Sequence, residues 1–589
     1  YRGVERKGAG LGEAQGARNG QGAEERGEEN GEGFMGPWPL PTWSGELYLE
    51  LHRATYTTQA ALKALNQRLE QTLLEAEMAW TLASLKKIDP RLTLDEPSYP
   101  ARDLESLWKV LLLHQFHDIL PGSSIHSVPK EAAESLRVAL IQAEEVRQEA
   151  LGLLSAEVRK VHPEAVAHLV VWNLSTSPRP LRLWLLRPTE QFFRLLTSTG
   201  NEVPYQESGP YILIAAEETV PALGYLALAV VGHLDARRTP AVRVKGLERV
   251  LENQHLRLEV APDGTISRLY DKDHQREVLA GRGNQLWAYT DVPRYWEAWD
   301  LDASYAREGR EIPATQVKLI EGGPLRAGIW VERKIGASRL EQTYWLWGGS
   351  RRLEIETTAH WQERRTLLRA LFPVNVRSHE AWFDTVFGAV PRPTHTNTGW
   401  DAARFEVPAL RWADLSEAGY GVSLLGGFKH GYSARGNVLG LSLLRGAIWP
   451  DPLADVGEHH FSYALYPHPG DWRSGTVAQA EDFLAPLLPL ALPVHAGGQP
   501  SSRQFLRLSP SSLRIAAFKR AEEGFGYILR LYEAHGGRGE VELDLTALGI
   551  RSASRVNLLE EPVEPLSLRN GYLTLAYAPY QVISLRLEL

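Results

Sequence analysis

The sequence predicts a multidomain α+β protein, a three-helix bundle followed by large antiparallel β-sandwich domains. Three observations carry this reading. The chain has 589 residues, more than one core accommodates. Between residues 50 and 160, apolar side chains recur at helical spacing in three long runs. After "VHPEA" the texture changes to short alternating or β-branched runs, separated by Gly, Pro, Asp and Asn, that continue to Leu589.

Residues 1–33 contain only Val4 and Leu11 as larger aliphatics. Such a segment buries too little to offset its ordering entropy, so residues 1–36 are expected to be a disordered or spurious tail. Within 37–51, "SGELYLELH" alternates like a short strand. The first helix is expected in "RATYTTQAALKALNQRLEQTLLEAEMAWTLASL", where Leu62, Leu65, Leu69, Leu73, Ala76 and Trp80 share a face. A second, "DLESLWKVLLLHQF", follows the Pro-rich "DEPSYPARD". Ser127 is the expected N-cap of a third, "VPKEAAESLRVALIQAEEVRQEALGLLSAEVRK". Long amphipathic helices with short links make a bundle, placed at 52–160. A small β domain is expected at 165–240, a large sandwich at 241–490 and a C-terminal sandwich at 500–589. "LRLEVAPDGTISRLYDKD" reads as a hairpin turning at Pro262-Asp263-Gly264. The Pro/Gly-rich "PLLPLALPVHAGGQPSS" at 486–502 reads as a linker.

Composition excludes several classes. There is no cysteine, so any metal must be held by His and carboxylate. The net charge is −8 and no basic patch with interleaved aromatics occurs, which sets nucleic acid aside. No apolar run reaches membrane-spanning length without Pro or charge, and no membrane association is expected. No signal-peptide pattern opens the sequence, and a cytoplasmic protein is expected. Eighteen tryptophans serve either inter-sheet packing or sugar stacking.

The densest chemistry lies in "HQFHDILPGSSIHS", His114–Ser127, where a helix gives way to a Pro-Gly turn. A His beside a carboxylate is either a metal ligand or a helix-end His caught by local hydrogen bonds. A metal site needs three or four protein ligands, and this stretch offers one or two. "PRYWEAWDLDASY" sets Glu297, Asp300 and Asp302 among Trp296, Trp299 and Tyr305, as a sugar-binding loop or a sandwich edge loop would. "TNTGWDAARFEVP" and "GEHHF" are polar loops of the same ambiguity. His233 and Asp235 in "GHLDAR" read as a loop coincidence, and the Gly-rich "GEAQGARNGQG" follows no strand.

Taken in order, "GELYLELHRATYTTQAALKALNQRLE", "LLLHQFHDILPGSSIHSV", "LENQHLRLEVAPDGTISRLYDK", "RPTHTNTGWDAARFEVPALRWADLSEAGYGVSLL" and "RGNVLGLSLLR" closely resemble the α-mannosidases of glycoside hydrolase family 38. The likeness runs from about Pro39 to near the end of the chain. It implies an α/β barrel-like catalytic domain, a three-helix bundle and β-sandwiches. It implies metal-assisted, retaining hydrolysis of α-mannoside oligosaccharides or glycans. It makes His117 a ligand of a divalent metal, zinc, and Asp118 a substrate contact. Tyr56, Trp299 and Arg435, in motif-like loops, are further expected sugar contacts. The family's other metal ligands and its nucleophilic Asp precede the "GELYLE" segment. The residues before it here contain no His and no Asp. The barrel is therefore expected to be largely missing, with 37–51 its remnant, no catalytic nucleophile in this chain and activity alone in question. The other class of function is a non-catalytic glycan-binding or scaffold remnant; a third reading completes the site in trans. Ala54 stands where the family more often has Gly. A bundle face left without its barrel exposes apolar surface and favours a homo-oligomer.

Overall fold

A computed structural model describes residues 42–85, 99–189, 193–232, 243–495 and 497–589. The expected tail at 1–36 and the His233–Asp235 pair lie outside the described residues. The chain divides into two units, Tyr1–Leu47 and Tyr48–Leu589. The described residues of the first, 42–47, hold no helix or strand. The strand expected in "SGELYLELH" is thus a correction: among the described residues no strand forms there, and the Tyr48 hydroxyl donates to Glu406 O at 2.5 Å.

Three helices follow, Ala60–Leu85, Ala101–His114 and Ser127–Ala156. Their shared face buries Leu62, Leu69, Leu73, Leu104, Leu107, Leu111, Leu136 and Ala143, the helical spacing read from the sequence. The first helix has a cap from far along the chain. Asp455 accepts from Gln59 N at 2.9 Å and from Ala60 N at 2.7 Å, satisfying orphan amides and placing a carboxylate at the positive helix end. Ser127 is not the cap of the third helix: it lies inside the first turn, and His126 occupies the cap position without a side-chain capping bond.

The remainder is mainly antiparallel sheet, as expected, with the short helices Gly399–Ala403 and Thr476–Leu484 between strands. Leu256–Val260 and Ile266–Asp271 form the hairpin read from the sequence. A nine-stranded sheet and a six-stranded sheet supply one shared core, with Leu340, Ile355 and Tyr463 from the first and Leu286, Phe372 and Leu441 from the second. The small domain packs a six-stranded sheet on a three-stranded one. The Pro-rich stretch is more than a linker. Leu488–Pro493 pairs with Ala167–Asn173, and Ser502–Gln504 pairs with Gly224–Gly232. Leu488–Pro493 is the sheet's edge strand, where a proline without an N–H is tolerated. Two smaller sheets complete the C-terminal sandwich. Among the described residues no helix is long and apolar enough to cross a membrane.

A fully buried ion pair joins two strands of the large sandwich, His468 Nε2 lying 2.7 Å from Asp414 Oδ2. Burial opposes the imidazolium, but the Asp414 charge and hydrogen bond outweigh it and hold the His468 pKa above its ordinary value. A raised folded-state pKa stabilises fully below the unfolded value of about 6.5 and is lost as pH rises through the folded value. His468→Gln is therefore expected to cost more stability at pH 6 than at pH 9, read from urea midpoints. An equal cost at both would show a neutral imidazole.

Candidate functional site

The second helix stops at His114, whose Nδ1 lies 2.7 Å from Val110 O inside the bundle. His117 therefore does not share its face. The His117 side chain is 75% exposed, with Nε2 3.5 Å from Asp118 Oδ2. Its ring stands 4.2 Å from that of Phe116. Asp118 Oδ1 accepts from Ser123 Oγ at 3.0 Å, which folds the turn on itself.

The turn is pinned from below. The buried Lys63 ammonium donates to Thr58 O at 2.5 Å, Leu120 O at 2.9 Å and Pro121 O at 3.1 Å. Burial pushes its pKa down to about 7, against the pull of Asp455. Three carbonyls match the three donors of the charged form. Gly122 closes the turn at φ +80°, and a Cβ there would lie 2.7 Å from both Gln59 Cβ and Thr58 O. Gly122→Ala is expected to cost about 2 kcal/mol in strain and to loosen residues 117–123. Faster amide exchange confined to that turn would show it; unchanged exchange and stability would refute the tight fit.

Neighbouring loops meet this turn. His126 Nδ1 lies 3.0 Å from Asp451 Oδ1, and Gln59 Nε2 donates to Asp451 Oδ2 at 2.8 Å. Ala298 N donates to Trp449 O at 3.2 Å, and Ala54 N to Trp299 O at 3.1 Å. Ala54 itself is buried in the short turn Arg53–Tyr56 and needs no positive φ, so alanine fits where the family more often has glycine. Tyr56 is half-buried on the same turn, and burial raises its pKa; burial likewise pushes Tyr48 up to about 12.

Arg435 works on the backbone. Its Nη1 donates to His395 O and Asp401 O, both at 3.1 Å, and its Nη2 to Ala402 O at 2.9 Å. Arg53 Nη2 donates to Ala403 O at 3.1 Å. These guanidiniums satisfy the carbonyl end of the short helix Gly399–Ala403, whose other end has a Thr398/Asp401 capping box.

Arg445 closes the motif "RGNVLGLSLLR", which by itself gives it no role. It is 1% exposed, pairs with the equally buried Asp291, and donates to Thr58 Oγ1 at 3.1 Å, to Asp300 O at 3.1 Å and to Glu297 O. It joins the 291–300 loop to the start of the first helix. Its only sequence signal is a charge closing the apolar run "VLGLSLL". Glu297 accepts from Arg365 and from Ile448 N at 3.0 Å, so this carboxylate is committed to the loop framework.

Among the described residues no three His or acidic groups gather as a metal site needs. His117 and Asp118 offer one imidazole and one carboxylate, short of a closed site. These residues alone do not fit zinc.

Three family models match the chain: "Alpha mannosidase middle domain" over 50–154, "Glycosyl hydrolases family 38 C-terminal domain" over 251–453, and "Glycosyl hydrolases family 38 C-terminal beta sandwich domain" over 512–585. Alpha-mannosidase 2C1 of Homo sapiens is 37% identical over 567 residues, covering 93% of this chain and 51% of that protein. Alpha-mannosidase of Saccharomyces cerevisiae is 30% identical over 549 residues, covering 89% and 46%. The chain spans about half the length of the curated relatives it matches. The crystal structure of an alpha-mannosidase from Enterococcus faecalis V583 superposes with a TM-score of 0.77 at 16% identity, covering 91% of this chain and 68% of that one, which establishes the shared fold. The chain belongs to glycoside hydrolase family 38, of which it carries the middle and C-terminal domains.

Proposed function

We propose that these domains form one wall of an α-mannosidase site acting on α-mannoside oligosaccharides by retaining hydrolysis. The observation that supports this most is the His117–Asp118 turn, exposed yet held by Lys63 and Gly122, in a family 38 chain. In this reading His117 would be one of several ligands to a divalent metal, zinc, and Asp118 would meet a sugar hydroxyl. Trp299 and Tyr56 border the bound oligosaccharide. Arg435 acts through the 395–403 loop that it braces. The paired carboxylates that retaining hydrolysis needs, and the remaining metal ligands, we assign to the part of the curated relatives that this sequence does not match. The protein is read as cytoplasmic. Leu112, Leu113, Phe116 and Ile125 are exposed beside the turn. The isolated polypeptide is expected to bind a hydrophobic dye and to self-associate in light scattering; a monodisperse, dye-silent monomer would count against this.

The test is complementation. The polypeptide is mixed with the N-terminal half of a curated relative, with zinc, on 4-nitrophenyl α-mannoside and its β anomer. Turnover of the α anomer alone, lowered at least 100-fold by His117→Ala, is expected. Equal turnover of both anomers, or turnover indifferent to His117→Ala, would overturn the reading.

A further inference from the structure

We infer that Trp296, Trp299 and Trp449 form a second sugar-binding subsite, a platform for a hexopyranose unit of the oligosaccharide other than the one cleaved. The three indoles contact one another, with ring centroids 5.4 Å apart for Trp296–Trp449 and Trp299–Trp449 and 5.9 Å for Trp296–Trp299. None belongs to a hydrophobic core cluster of the described residues. Trp296 is 61% exposed and Trp449 47%. This is a costly way to leave two large apolar side chains.

The backbone shows that the exposure is imposed. Trp296 sits at φ +60°, a left-handed conformation that strains a bulky residue. Its carbonyl accepts from Trp299 N at 2.8 Å and Asp300 N at 3.0 Å, a tight turn that brings both rings to one side. Behind it the Arg445 guanidinium holds Glu297 O and Asp300 O, and the Glu297 carboxylate holds Ile448 N beside Trp449.

The polar chemistry selects the occupant. None of the three indole N–H groups has a hydrogen-bond partner among the described residues. Elsewhere the contrast is direct: Trp345 donates to Glu356 at 2.8 Å and carries the Arg326 guanidinium over its ring at 3.7 Å. The platform thus offers bare π faces with free donors at their edges. A pyranose matches both, laying its C–H face on a ring and turning hydroxyl oxygens to the N–H groups. Tilted rings, at 38–76° to one another, make a cradle for a puckered ring. The platform is continuous with the proposed mannoside wall. Trp299 O holds Ala54 N, and Trp449 lies two residues from Asp451, which binds His126 and Gln59.

This inference rests on the mannosidase reading for the identity of the sugar. Its test needs no turnover. Calorimetric titration of the polypeptide with α1,2-linked mannotriose is expected to show saturable binding. Trp296→Ala and Trp449→Ala should each weaken it about fivefold to tenfold, with unchanged circular dichroism, while Trp345→Ala leaves it intact. Absence of mannotriose binding by the unaltered chain, or affinity unchanged in both platform variants, would overturn the platform. So would sedimentation showing that these substitutions only dissociate a dimer, which would make the patch an interface between copies. If complementation yields no hydrolysis but the platform variants lose mannotriose, the subsite stands and the catalytic reading falls. The reverse pattern removes the subsite alone.

Discussion

Arg445→Met is expected to destabilise the fold by about 3–5 kcal/mol, because it leaves Asp291 as an uncompensated buried carboxylate. The pair is 1% exposed on both sides, so water does not replace the lost partner. The substitution also frees Glu297 O, Asp300 O and Thr58 Oγ1, which tie the aromatic loop to the first helix. A chain of several domains does not unfold in one step, so the loss belongs to the first denaturant transition. Limited proteolysis should open the chain near 292–302 in the variant. Asp291→Asn combined with Arg445→Met should recover part of the loss by removing the stranded charge. Wild-type stability in Arg445→Met would show that the pair contributes nothing.

Lys63→Met is expected to cost about 3 kcal/mol and to release the His117 turn. Methionine fills similar space but donates nothing, leaving Thr58 O, Leu120 O and Pro121 O unpaired at about 1–3 kcal/mol each where water does not reach. Relief of the ammonium's desolvation offsets part of this. The pH dependence separates the two effects. The folded pKa of about 7 lies below the unfolded value of about 10.4. Between these values the unfolded chain binds more protons, so wild-type stability gains from Lys63 as pH rises from about 7 to 10. Lys429 is buried nearby, with its pKa also pushed down to about 7, and adds a second such slope. Lys63→Met should remove one slope and leave the other, seen as a smaller rise in urea midpoint from pH 7 to pH 9.5. A variant with the full wild-type slope would mean that Lys63 keeps its ordinary pKa.

How much of this was legible depends on sequence separation. The helices follow from local spacing: the Leu62–Leu69–Leu73 face is written in one run and is buried as written. The 256–271 hairpin turns on adjacent residues and also holds. Leu488–Pro493 looks like a linker in the sequence because its partner, Ala167–Asn173, lies some three hundred residues earlier and its prolines imitate one. "SGELYLELH" had the right alternation, but alternation does not supply a partner. The site divides the same way. His117 and Asp118 stand out as neighbours in a motif. Arg445, Asp291 and Asp455 act across long separations and look like ordinary charges until the strands meet. Arg435 reads as a loop residue in the sequence but ends the strand Gly431–Arg435, and its guanidinium bonds backbone carbonyls, which no motif encodes.

The most direct measurement is hydrolysis of 4-nitrophenyl α-mannoside by the polypeptide as it stands, with and without added zinc, beside His117→Ala. One imidazole and one carboxylate do not complete a metal site, so the account predicts no turnover above the blank in any sample. Zinc-dependent turnover that disappears in His117→Ala would contradict it, by showing that this sequence assembles a full catalytic centre around His117.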